Sequence, residues 1–172
     1  MGPIRAETEI DVPREQVFAT IGDMAARPSF TDHFLSDFHL TRLEPRGIGA
    51  GARFRIQAPL RKVWMDTAIV EQEEPFRIVE QGHGGRVNRI RSNTVWEMTQ
   101  DSGLLTRVTV SHWTEPTNRL DRALEVASAG SVWQERSWRE ALRRLRDMLE
   151  SDHPRAERIA VAGGNRYATG IP

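Results

Sequence analysis

An α+β fold, with a curved antiparallel sheet of about seven strands wrapped around a long C-terminal helix, is predicted by three features of the sequence. The stretch from Thr117 to Ser151 places Leu120, Leu124, Ala127, Ser131, Gln134, Trp138, Leu142, Leu145 and Leu149 on one narrow helical face. The middle of the chain is a series of short segments that alternate apolar and polar residues between Gly, Pro and Asp turns. A strand and two short helices come before that series, so strands follow helices and one long helix closes the order.

The totals narrow the function classes. A chain of 172 residues fits one domain, and such a domain buries roughly 70% of its unfolded surface. Lys plus Arg and Asp plus Glu both number 24, so no basic field exists to attract nucleic acid or anionic lipid. Without Cys, disulfides and thiolate chemistry are excluded. The histidines, at 33, 39, 83, 112 and 153, show no metal-binding spacing, so neither a metal nor a cofactor is expected. MGPIRAETEI has no apolar core of signal-peptide length, and no run approaches the 18 apolar residues of a membrane span. A cytoplasmic protein without an integral membrane segment is the expectation.

The opening strand is IRAETEID, with Ile4, Ala6, Thr8 and Ile10 on one face. Asp11 can cap a helix whose first turn holds Pro13 and whose buried side is Val17, Phe18 and Ile21; Gly22 ends it. A short second helix after Pro28 brings Phe30 and Phe34 together. Strands are then expected at 38–44, 51–59, 63–72 and 76–82, with a flexible loop at His83-Gly84-Gly85. In 86–100, Asn88, Ile90, Ser92, Thr94, Trp96 and Met98 share a face, and beyond the turn at 101–103 Val108, Val110 and His112 do the same.

This order of elements resembles the START-like, helix-grip superfamily, the polyketide cyclase/dehydrase and lipid-transport group. The resemblance spans about residues 4 to 150 and is carried by the opening strand with DVPREQVFATIGD, by GIGAGARFRI, by IVEQEEPFRIV, by TVWEMTQDSGLLTRVTVSHWTEP and by the final helix. Where many relatives have Trp in the second helix, this chain has Arg27-Pro28-Ser29-Phe30, which puts the shape of the cavity mouth in question. The resemblance implies a hydrophobic cavity between sheet and C-terminal helix; it does not imply one reaction.

Catalytic signatures are scarce. No Ser lies in a GxSxG elbow, and Gly47-Ile48-Gly49-Ala50-Gly51 reads as a turn before a strand, not a phosphate loop. His112 is the most interesting titratable group: its parity points it at the cavity, where a neutral imidazole binds a ligand carbonyl or shuttles a proton. The plainer reading is a strand-end histidine bonded to backbone or water. Asn88, Ser92 and Thr94 either orient a ligand or face water at the rim. Phe30, Phe34, Phe54, Trp64, Trp96, Met98 and Trp138 are candidate cavity walls, although aromatics at such spacing mostly fill cores. Asp66 shares Trp64's parity, and if that face is inward it is a buried carboxylate and a candidate acid.

The long helix is greasy at its ends and soft in the middle, at Ser131 and Gln134, as if it leaves room beneath its midpoint. As one rod it would span about 50 Å, more than the roughly 40 Å of such a globule, so a bend is expected at Gly130. Trp133 falls off the stripe toward solvent. Residues 1–151 are read as the ligand-binding domain. Residues 152–172 are read as a tail, extended or folded back on the domain or a second subunit, and a homodimer is one outcome. The leading functional expectation is binding of a small hydrophobic or amphipathic molecule. The alternatives are a cyclase/dehydrase-like enzyme for a polyketide-like or aromatic substrate, and a partner-docking domain using Trp133 and the tail.

Overall fold

The alternation of the opening segment becomes the strand β1 (Ile4–Asp11), whose Ile4, Ala6 and Ile10 are buried. In this computed structural model, residues 3–59, 61–85, 90–102, 105–116, 130–151, 160–161 and 164–167 are described. Helix α1 (Arg14–Ile21) buries Val17, Phe18 and Ile21 as expected, but its cap is Pro13 with no side-chain hydrogen bond, not Asp11. The backbone N–H of Asp11 donates instead to Glu150 Oε1 at 3.0 Å, tying the end of β1 to the end of the chain's long helix. Gly22 does end α1. The second helix, α2 (Pro28–Thr31), is a single turn, so Phe34 lies beyond it and Phe30 turns instead toward Trp96.

Six further strands follow: β2 (Leu35–Leu40), β3 (Gly51–Ala58), β4 (Arg61–Glu73), β5 (Arg77–Gly84), β6 (Ile90–Ser102) and β7 (Leu105–Pro116). They form an antiparallel meander, and β1 closes it against β7 with Ile4 opposite His112. This is the α+β helix-grip arrangement of seven antiparallel strands curled around a helix.

Two strands differ from expectation for local reasons. The second strand starts three residues earlier than the 38–44 read from sequence and stops at Leu40. Asp37 at φ 52° and a register shift between Ser36 and His39 form a bulge there. One extra residue reverses the parity, so Leu35, Phe38 and Leu40 all reach the interior. The expected loop at His83-Gly84-Gly85 is largely strand, because β5 runs through Gly84. Glycine is needed there for closeness: a Cβ at Gly82 would lie 2.5 Å from the Asp66 carbonyl, and one at Gly84 would lie 2.2 Å from that of Trp64.

The long helix α3 is described over Gly130–Glu150, and the bend expected at Gly130 falls at the edge of the described residues. Leu120, Leu124 and Ala127 lie outside the described residues. Its stripe of Trp138, Ala141, Leu142 and Leu145 is buried, and it runs against β1 and α2. His33 Nε2 bonds the Ser137 carbonyl at 3.0 Å, and Arg144 pairs with Asp32, so the segment around α2 is pinned to the helix. Trp133 is not stranded in solvent: it is half-buried, with its ring 6.2 Å from Phe34.

In the tail, β8 (Ala160–Val161) pairs in parallel with His39 and Leu40 of β2, and β9 (Gly164–Tyr167) pairs with β8. At His39 and Leu40, β8 thus pairs with edge groups of β2 that would otherwise be offered to another chain. Truncation after Ser151 should lower the melting temperature or raise the oligomeric state seen by light scattering; a truncated chain unchanged in both would contradict this role.

Candidate functional site

The cavity follows from the register of three strands. On the inner face, Ile78 of β5 stands opposite Trp96 of β6, and Trp96 stands opposite Val110 of β7, an apolar rung. One step further along, Glu80, Thr94 and His112 form the next rung, and the step after that holds Gly82, Ser92 and Thr114. Two polar rungs therefore lie directly above an apolar floor, inside a curved sheet. The facing strands are apolar: Phe38 and Phe54 stack with centroids 5.6 Å apart and planes 7° from parallel, beside Leu35 and Ile56.

Helix α3 closes this space with Trp138, Gln134 and Trp133. Trp138 is the hub, with ring centroids 5.3 Å from Phe34, 5.4 Å from Trp96 and 5.5 Å from His112. The enclosed volume is about 40 Å³. That is room for two or three waters at roughly 15 Å³ each, so a ring-sized guest must displace side chains. Met24 and Met65, which also line it, are unbranched and adaptable.

Beneath the cavity sits a buried ion pair that the sequence did not reveal. Arg27 Nη2 donates to Glu80 Oε1 at 2.6 Å and to the Ile21 carbonyl at 2.9 Å. Trp96 Nε1 donates to the same Glu80 oxygen at 2.8 Å. The side chains of Arg27 and Glu80 are only 4% and 5% exposed, and both reach the cavity wall. The guanidinium also lies 4.9 Å from the Trp96 ring centroid, within cation–π range. Its Nε is buried without a hydrogen-bond partner.

His112 is buried in the wall and shares a 2.9 Å hydrogen bond between Nδ1 and Thr94 Oγ1. Burial pushes its pKa down to about 4, so the imidazole is neutral at neutral pH. His33 is also held below its ordinary value, first by burial, partly offset by its bond to Ser137.

The sequence matches the family model described as polyketide cyclase / dehydrase and lipid transport over residues 1–150. The chain belongs to this family. The polyketide cyclase/dehydrase and lipid-transport fold is visible in solved structures too. TTHA0849 from Thermus thermophilus has a TM-score of 0.65 at 17% identity, covering 87% of this chain and 98% of its own. A START superfamily protein from Mycobacterium smegmatis has a TM-score of 0.63 at 12% identity, covering 89% and 100%. The major latex-like protein 151 of Panax ginseng has a TM-score of 0.56 at 14% identity, covering 81% and 97%. At such identities the likeness is one of fold. A comparison with curated proteins found no match.

Within this family fold, the residues singled out from sequence divide into four groups. Phe34, Phe54, Ser92, Thr94, His112, Gln134 and Trp138 line the cavity. Phe30, Trp96 and Met98 are buried in the core and do not line it, and Ser131 is half-buried away from it. Trp64 and Asp66 are corrections, since β4 turns Met65, Thr67 and Ile69 inward and these two outward. Trp64 is 40% exposed, with the guanidinium carbons of Arg53 and Arg55 5.3 and 5.7 Å from its ring centroid. Asp66 lies 3.9 Å from Arg53 and is no buried acid. Asn88 lies outside the described residues. Among the described residues no cluster of three His, Cys, Asp or Glu could hold a metal, and no helix is long and apolar enough to cross a membrane.

Sequence reasoning missed Arg27, Glu80, Met65, Thr67 and Phe38. For Glu80 a signal existed: it alternates with the buried Ile78 in FRIVEQG, so strand parity points it inward.

The depressed His112 pKa makes stability depend on pH in a fixed direction. The group binds its proton near the ordinary 6.5 when unfolded but only near 4 when folded. Its contribution is therefore complete above about pH 6.5 and is lost as the pH falls toward 4. Between pH 7 and 4.5 the wild-type chain should lose roughly 2 kcal/mol more unfolding free energy in urea than His112→Gln. Equal losses in the two proteins would contradict a buried neutral imidazole.

Proposed function

We propose that this protein binds a small amphipathic molecule in the cavity between the sheet and α3, with an aromatic or other flat apolar body and one oxygen-bearing end. The observation that carries the reading is the division of the cavity into two walls. The β5–β7 side offers Glu80, Thr94, His112 and Ser92, while the β2–β3 side offers Leu35, Phe38, Phe54 and Ile56. Pockets that orient a ligand are built this way, mostly apolar with a few placed polar groups. A core meant only for stability gains nothing from two polar rungs above Trp96, since each buried polar group needs a partner.

The family description also covers cyclase and dehydrase chemistry, and the Thr94–His112 pair is the feature that would serve it. Its physical chemistry favours binding. A general base works best with a pKa near the working pH, whereas His112 is held at about 4. Glu80 is engaged by Arg27 and Trp96, and Asp66 faces out. His112 is thus suited to giving or taking a hydrogen bond without changing charge. Trp133, one of the two features behind the docking alternative, lines the cavity, which favours the binding reading.

Native mass spectrometry of the freshly purified full chain should show a co-purified molecule, and N-phenyl-1-naphthylamine should fluoresce on entering the site. Gln134→Trp, which fills the cavity from α3, should weaken that probe by at least about tenfold while leaving the circular dichroism spectrum unchanged. A chain that carries no adduct and gives no fluorescence rise would overturn the reading.

A further inference from the structure

The buried ion pair bears on what kind of ligand the cavity admits. Among the described residues, Arg27 and Glu80 are the charged side chains in its wall, and they lie 2.6 Å apart with almost no exposure. The other polar groups facing the space are Thr67, Ser92, Thr94, Gln134 and the neutral His112. The wall formed by the described residues therefore carries no net charge. A carboxylate brought in would leave water to lie near Glu80, with the Arg27 cation already engaged. An ammonium would meet Arg27 in the same way. Burying an ion without a free counter-charge costs far more than burying a neutral polar group.

Hydrogen-bonding capacity sharpens the point. Glu80 Oε1 already accepts from both Arg27 and Trp96, while Arg27 Nε is a buried donor with no partner. A donor at a buried site is complemented by an acceptor oxygen, and leaving it unpaired costs free energy.

Resting on the binding reading above, we propose that the Arg27–Glu80 pair is the specificity determinant of the cavity. It selects uncharged ligands bearing a ketone, quinone or phenol oxygen over carboxylic acids of the same size. The pair supplies a donor, Arg27 Nε, without supplying net charge, and the apolar wall of Phe38, Phe54 and Ile56 takes the ligand's ring. If Glu80 lost its charge, Arg27 would be left uncompensated and the preference would pass to anions.

Ethylbenzene, acetophenone and benzoate share one ring and nearly one size, and the indole N–H resonances of Trp138, in the cavity wall, and of Trp96, bonded to Glu80, report their binding in the full-length ¹⁵N-labelled chain. Acetophenone is expected to bind tightest, and at least about tenfold more tightly than benzoate. In Glu80→Gln, which keeps an acceptor for Trp96, benzoate should become the preferred of these two probes, and it should raise that variant's melting temperature. Should Glu80→Gln not fold even with benzoate, Arg27→Met serves instead, with benzylamine gaining affinity over wild type and benzoate losing it. If benzoate matches acetophenone in wild type, or the preferences do not move in the variant that folds, the selectivity claim is wrong although the cavity still binds. If ethylbenzene and acetophenone both leave the indoles unmoved, the binding reading itself fails, and the selectivity claim with it.

Discussion

Taking two charges out of water is expensive, and Arg27 and Glu80 are almost wholly out of it. They come from distant parts of the chain, one at the start of α2 and the other in the middle of β5, 53 residues apart. Their bond holds the α1–α2 segment over the sheet. Through Glu80 it also fixes the indole of Trp96, and Trp96 supports Phe30 on one side and Trp138 on the other. The polar rungs of the cavity begin on the Glu80 level. Losing either charge would strand the other in a low-dielectric setting, so the geometry around the pair tolerates little change.

The second constraint is the grip of α3 on the sheet. Trp138, Leu142 and Leu145 are apolar anchors on one stripe. The C-terminal end of the helix is tied to β1 through Asp11 and Glu150, and its middle to the α2 region through Ser137 and His33. Toward its N-terminus the stripe gives way to Gln134, and there the cavity opens. A helix of Leu alone would fill that volume. The same amphipathic periodicity that builds the core thus leaves a space where one residue per turn is polar.

Much of the fold was legible because strand parity is a rigid code. The alternation through β6 and β7 put Ser92, Thr94, Trp96, Val108, Val110 and His112 on one face, and each is buried there. The code fails where geometry departs from a flat ladder. A bulge at Asp37 reversed the parity of β2 and hid Phe38. On β4, apolar residues on both faces left Trp64 and Met65 equally eligible, and the register decides between them: Met65 stands opposite the cavity residue Phe54, and Trp64 opposite Arg55. Trp133 escaped a helical wheel because a wide ring at the cavity edge reaches Phe34 from off the stripe. Of the ion pair, only Glu80 carried a signal. Arg27 in a Pro-containing turn carries no periodic signal, yet it reaches the cavity wall.

A double-mutant cycle on the full chain, with Arg27→Met, Glu80→Gln and the two combined, tests the central dependence most directly. By equilibrium urea unfolding, each single change should cost about 3–5 kcal/mol, because each leaves a buried charge unpaired. The combined variant should cost at least about 2 kcal/mol less than the sum of the two. Losses that simply add would mean that the two side chains act independently, and the account of a coupled pair organising the cavity would be wrong.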